Sequence, residues 1–193
     1  MIKRRPSNIH WNYFLAIESD LIKTARYIEF CEDNLGVYSI ELAHILISAS
    51  SEVDVLLREI CRLKKIKANN INDYRIAFQE NLPEFINEPI FITRYGLEFT
   101  PWENWNGDDC PEWWRSHNKV KHERNQYFEQ ANLQNTLNAV GALLIAVTYY
   151  HQLEFNARLE KKINLNSTTE RLKPFPQLFR LRNEYYQHPV YIY

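Results

Sequence analysis

SIELAHILISASSEVDVLLREICRLK, running from Ser39 to Lys64, is the stretch that decides the fold. It contains neither glycine nor proline. Leu42, Ile45, Leu46, Ala49, Val53, Leu56, Leu57, Ile60 and Leu63 recur at spacings of three and four, which gives a helix a wide apolar face. Ser39 has the chemistry of an N-cap, and Glu41 faces the positive end of the helix in its first turn. The stretch predicts a long, central helix. His44, Ser48, Ser51 and Glu52 fall at i, i+4, i+7 and i+8 on it and form a narrow polar stripe. Such a stripe is either a solvated edge or the polar lining of a cleft or dimer seam.

Working outward, the same periodicity predicts a first helix from Pro6-Ser7 to about Cys31, carried by Trp11, Phe14, Leu21, Ala25 and Ile28 and closed by Asn34-Leu35-Gly36. On the other side, Lys64 to Asn72 is a polar break, and a short helix is expected over Ile71 to Glu80, ahead of Pro83. Pro89 to Trp102 alternates in places around Gly96 and reads as a small hairpin. Pro111 suits the first turn of a helix that extends to about Arg124. After a break near Ala131-Asn132, a further helix runs from Leu133 to about Phe155 with Leu137, Val140, Leu144 and Val147 on its stripe. The expected architecture is one all-α domain over residues 1–193, a bundle of four main helices. A loop and small hairpin (about residues 65–110) are inserted between the second and third, and a tail follows from about residue 160.

Composition narrows the function classes. The chain has 193 residues and a formal net charge of −1, so no global positive field advertises nucleic-acid binding, and any polyanion site must be a local patch. Cys31, Cys61 and Cys110 are odd in number and far apart, which argues against a disulfide framework and fits a reducing cytoplasm. The basic N-terminal stretch MIKRRPSNIHWNYF lacks a following apolar signal region. The apolar run Val140 to Tyr150 is too short to span a membrane. Glu103, Asp108 and Asp109 do not have the spacing of a calcium loop, and Cys110, His117 and His122 match no zinc-ligand pattern, so no metal or cofactor is expected.

The local patch is WWRSHNKVKHERN, Trp113 to Asn125. At about 100° per residue, Arg115, Asn118, Lys119 and His122 share one stripe, and Lys121 and Arg124 flank it with further positive charge. Trp113, Ser116, Val120 and Tyr127 lie roughly opposite, on the side expected to meet the core. Arg binds phosphate oxygens bidentately, Lys adds point charge, and Asn orients a hydroxyl or base edge. His moves protons near neutral pH. Together these are the parts for metal-free RNA cleavage, with one strong His per chain and a second supplied by an isologous dimer. The bland alternative is the ordinary wet face of an amphipathic helix.

PEWWRSHNKVKHER leading into ANLQNTLNAVGALL, after two long helices and an insertion, resembles the HEPN superfamily over roughly Trp11 to Phe155. That resemblance implies a small all-α domain that often dimerises. Many such domains are metal-independent endoribonucleases of toxin–antitoxin, abortive-infection and CRISPR-linked systems. Their hallmark is an Arg, a polar residue, a short spacer and a His on a late helix at the dimer interface. Arg115 and His122 have six residues between them, the long end of the family's range, and Ser116 stands where Asn, Asp or His is usual. NKVKH is the closer echo, with Asn118 at the polar position and His122 at the histidine.

The resemblance therefore implies catalytic roles for His122, Arg115 and Asn118, with substrate binding by Lys119, Lys121 and Arg124. Its partners would be RNA, a second copy of the chain and an antitoxin or regulatory protein. HEPN-like domains without the full motif serve as RNA-, nucleotide- or protein-binding modules, which is the alternative function. Arg182-Asn183 and His188 match the motif more literally, but Pro189 follows at once and prevents a helix from continuing there.

Overall fold

The computed structural model describes residues 8–186. Its main packed helices are α1 (Ile9–Thr24), α2 (Ile40–Leu63), α5 (Glu112–His122) and α7 (Leu133–Leu159). Between α2 and α5 lie α3 (Ile71–Asn81), α4 (Pro83–Ile86) and the strands β1 (Ile90–Ile92) and β2 (Leu97–Phe99). The short α6 (Arg124–Tyr127) links α5 to α7, and α8 (Leu165–Thr169) follows α7. The architecture is all-α with one two-stranded antiparallel ribbon.

Helices α2 and α7 form the most extensive pair, and α1 and α5 each pack against both. The reason is in the side chains. Leu42, Leu46, Ala49, Val53, Leu56, Leu57 and Ile60 of α2 are fully buried along one face. On α7 burial runs all round from Ala139 to Tyr149, the pattern of a helix surrounded by others. Each fully buried Leu, Ile or Phe contributes roughly 1.5–3 kcal/mol relative to exposure. The start of α2 uses the expected cap, and α7 has one where the sequence shows only a break. Ser39 Oγ accepts from the Leu42 N–H, and Asn132 Oδ1 accepts from that of Asn135.

The first helix is shorter than its spacing predicts. It ends at Thr24 rather than near Cys31, and the chain turns through Ala25–Ile28. Phe30 then drops into the core against the Tyr95 ring, 5.0 Å between centroids. Burial of one aromatic residue is satisfied by leaving the helix, and no Gly or Pro announces it.

The hairpin forms as its alternation predicts, with Ile90 opposite Phe99 and Ile92 opposite Leu97. Gly96 sits at φ 65°, the left-handed conformation that closes the turn. Ile90 and Ile92 are fully buried beneath the ribbon. Gly141 of α7 admits β2 closely, because a Cβ there would stand 2.8 Å from the Phe99 ring. The tail lies back across the molecule. Phe91 and Arg180 exchange backbone hydrogen bonds at 2.9 Å, and Trp11 Nε1 donates to Pro174 O at 3.2 Å.

Candidate functional site

Helix α5 is rooted by tryptophan. Pro111 precedes it at φ −52° and Glu112 occupies its first turn. Trp113 is buried, donates from Nε1 to Pro101 O at 2.8 Å, and meets Trp102 edge to face with ring centroids 5.1 Å apart. Trp113, Ser116, His117 and Val120 face inward at helical spacing. Arg115, Asn118, Lys119, Lys121 and His122 are consequently turned out to solvent, as is Arg124 beyond the helix end. The stripe read from the sequence therefore exists as an exposed face.

The helix ends after His122, because Glu123 leaves helical geometry at φ −133° and ψ 40°. Tyr127, expected on the inner face of this same helix, belongs instead to α6 and is half-buried. Its ring receives Lys119 Nζ 4.8 Å from the centroid. Lys119, Lys121 and His122 occupy the last turn of α5, where the helix end carries partial negative charge. Asn118 Nδ2 donates to Trp114 O at 3.2 Å. Among the described residues, none of Arg115, Lys119, Lys121, His122 or Arg124 is in an ion pair.

The face is divided among three recesses. Arg115 lines a cleft of about 630 Å³ with Glu98, Glu103, Glu112, Asn104 and Asn138, so the cleft wall carries three carboxylates and one guanidinium. His122 lines a second, of about 580 Å³, with Lys121, Glu123, Arg124, Asn125 and Gln126. Arg115 and His122 are seven positions apart, about 10 Å along the helix axis, and neither of these two recesses holds both. The third recess, of about 490 Å³, is lined by Ile40, Ala43, His44, Arg124, Asn125 and Phe128. It shares Arg124 and Asn125 with the second.

The polar stripe of α2 is divided in the same way. His44 and Ser51 are exposed and Ser48 is half-buried. Glu52 turns to α1, where His10 Nδ1 lies 2.5 Å from its carboxylate. His44 instead reaches the third recess. Sequence periodicity shows that these residues share a face of α2. It does not show that α6 closes over one end of that face.

His117 does not belong to the basic face. It is 5% exposed, packs against Trp114 and has no hydrogen-bond partner for either ring nitrogen. Burial, followed by the nearby Lys121 and His122 charges, lowers its pKa to about 4, so the ring is neutral at physiological pH. Burial likewise raises the Cys61 thiol to about 11, away from nucleophilic use.

At the other motif-like position, Arg182 Nε donates to the buried Glu88 at 3.2 Å, Arg182 Nη2 donates to Asn87 O at 3.1 Å, and Tyr185 Oη donates to Glu88 at 3.0 Å. Arg182 thus fastens the tail to the insertion. Its companion His188 lies outside the described residues. Asp108 is held by Arg75, and no group of three or more His, Cys, Asp or Glu among the described residues could hold a metal ion. No helix among them is long and apolar enough to cross a membrane. Comparison with family models, with curated proteins and with solved structures finds no match.

Proposed function

We propose that this is a HEPN-like protein of a toxin or phage-defence system acting in the cytoplasm as a metal-independent endoribonuclease, with the outer face of α5 and α6 as its active surface. The observation that carries the reading is the solvated cluster of Lys119, Lys121, His122 and Arg124. It is free of ion pairs among the described residues of a chain whose net charge is −1. Cations held in this way are available to phosphate. His122 takes the 2′-hydroxyl proton or delivers one to the leaving 5′-oxygen. Lys121 and Arg124 stabilise charge on the phosphorus oxygens, and Asn118 orients the reacting group. A second His122 from an isologous partner supplies the complementary acid or base. Arg115 holds an adjacent stretch of the RNA rather than the scissile phosphate of its own subunit. An antitoxin or other regulatory protein would mask the face.

The test is cleavage of RNA by purified protein in EDTA, compared with His122→Ala. The wild type is expected to cut and the variant to lose at least a hundredfold in rate, the usual worth of a general acid or base of about 10² or more. Full activity in the variant removes His122 from the mechanism.

A second reading is an RNA-binding module without turnover. It is favoured by the separation of Arg115 from His122 into different recesses. It expects salt-sensitive RNA binding with no cleavage products.

A further inference from the structure

We infer that the recess between α2 and α6 is a pocket for one unpaired nucleobase, which makes single-stranded or looped RNA the substrate class. The inference rests on the RNA reading of the neighbouring cations.

The two recesses that share Arg124 and Asn125 differ in chemistry as the two ends of a nucleotide do. One is built from Lys121, His122 and Arg124 beside a single carboxylate, Glu123. The other has an apolar floor of Ile40, Ala43 and Phe128, and no carboxylate lines it. Ile40 is 64% exposed, although it opens α2, half of the most extensive helix pair among the described residues. Phe128 is braced from the side by Tyr38, edge to face at 5.5 Å, and Tyr38 is itself 51% exposed. That bracing is fixed by the backbone. Leu133 N–H donates to Val37 O at 2.9 Å, and Tyr38 bridges to Asn132. The apolar floor is thus presented rather than folded away.

The rim supplies the polar half of recognition. His44 and Asn125 are exposed, and neither side chain has a hydrogen-bond partner among the described residues. An Asn amide matches the donor–acceptor edge of a base. A volume of about 490 Å³ suits a base with its sugar. A base seated on Phe128 and Ile40 would place its phosphate at Arg124, which lines both recesses. Within a duplex a base has both faces stacked and its pairing edge used, so it cannot enter without being extruded at a cost of a few kcal/mol. Aromatic and apolar platforms beside cations are the general means of holding unpaired strands.

The experiment is fluorescence anisotropy with full-length protein at one fixed salt concentration. The probes are a short labelled oligouridine with 2′-O-methyl sugars, which cannot be cleaved through the 2′-oxygen, an abasic oligomer of equal charge, and an oligouridine–oligoadenosine duplex. The single strand is expected to bind about tenfold tighter than the abasic oligomer, the worth of one stacked base, and tighter than the duplex. An Ile40→Ala, His44→Ala double variant alters two exposed side chains. Its fold is checked by circular dichroism, and Phe128→Leu serves as the second test. Each is expected to erase most of the preference for the single strand while leaving abasic binding unchanged. Equal binding of all three probes, or an unchanged preference in both variants, overturns the base pocket and leaves the RNA reading standing. Failure of every RNA probe to bind, with an oligoglutamate peptide binding through Lys121 and Arg124 instead, overturns both and assigns the surface to an acidic protein partner.

Discussion

Glu18 Oε1 accepts the backbone N–H of Leu178 at 2.9 Å, joining α1 to a tail segment 160 residues later. The same carboxylate accepts from Gln177 and Phe179 at 3.0 Å each, and its side chain is nearly inaccessible. A carboxylate that receives three backbone donors is replaced by nothing neutral of the same shape. Glu18→Ala should leave three N–H groups without partners and destabilise the protein by about 2–4 kcal/mol. The check is chemical denaturation together with limited proteolysis, in which the tail should become the first site of cleavage. Equal midpoints and equal digestion patterns would show that the clamp carries no weight.

Acid should weaken the protein through His117. The ring titrates near 4 when folded and near 6.5 in an unfolded chain. Between those values the unfolded state binds a proton that the folded state excludes. The neutral-ring contribution is therefore complete above about pH 6.5, declines as pH falls through it, and is gone below about pH 4. The loss at pH 5 is on the order of 2 kcal/mol. Burial lowers the pKa of His151 as well, so it adds to the same limb. His117→Leu removes two unpartnered buried nitrogens and should flatten the acid limb of a stability–pH curve while costing little at pH 7. A variant with the same acid slope as wild type would locate the acid sensitivity elsewhere.

Gly141→Ala should destabilise despite the better helix propensity of alanine, worth about 1 kcal/mol. The added methyl group meets the Phe99 ring at 2.8 Å and Ile90 Cγ1 at 3.2 Å. Overpacking of this kind costs roughly 1–3 kcal/mol. Adding Phe99→Leu to Gly141→Ala should recover part of the loss in thermal unfolding. A double variant no more stable than Gly141→Ala alone would mean that the hairpin moves freely on α7.

RNA affinity should depend unequally on the cations of α5 and α6. Removing Lys121 and Arg124 together should reduce the slope of log affinity against log salt by about 1.4, the value for two single-strand phosphate contacts. Arg115→Ala should change that slope less, because Glu98, Glu103 and Glu112 line its cleft. A larger effect from Arg115 would place the RNA track at the N-terminal end of the helix instead.

Much of this fold is legible because its signals are local. Ser39 marks a helix start by capping chemistry, Pro111 and the Ala131-Asn132 break mark two more, and the Leu, Ile and Val spacing of α2 and α7 requires burial. Gly96 supplies the turn of the hairpin. The features that escape are set by distant residues. The end of α1 coincides with Phe30 packing on Tyr95, which lies 65 residues away in the hairpin. The α5 stripe was readable as a face. Its partition was not, because each recess is walled by other elements, the hairpin beside Arg115 and α2 beside Arg124.

The tryptophan root of α5 also has an optical consequence. Four of the five tryptophans, Trp102, Trp105, Trp113 and Trp114, form a chain with successive centroids 4.4, 5.1 and 5.6 Å apart in the order 105–102–113–114. Indoles this close are near enough for their electronic transitions to couple, which should appear in the near-ultraviolet dichroism. The protein thus carries an intrinsic, label-free reporter at the base of the helix whose outer face bears the candidate site. An event that tilts or melts α5 should therefore change its emission.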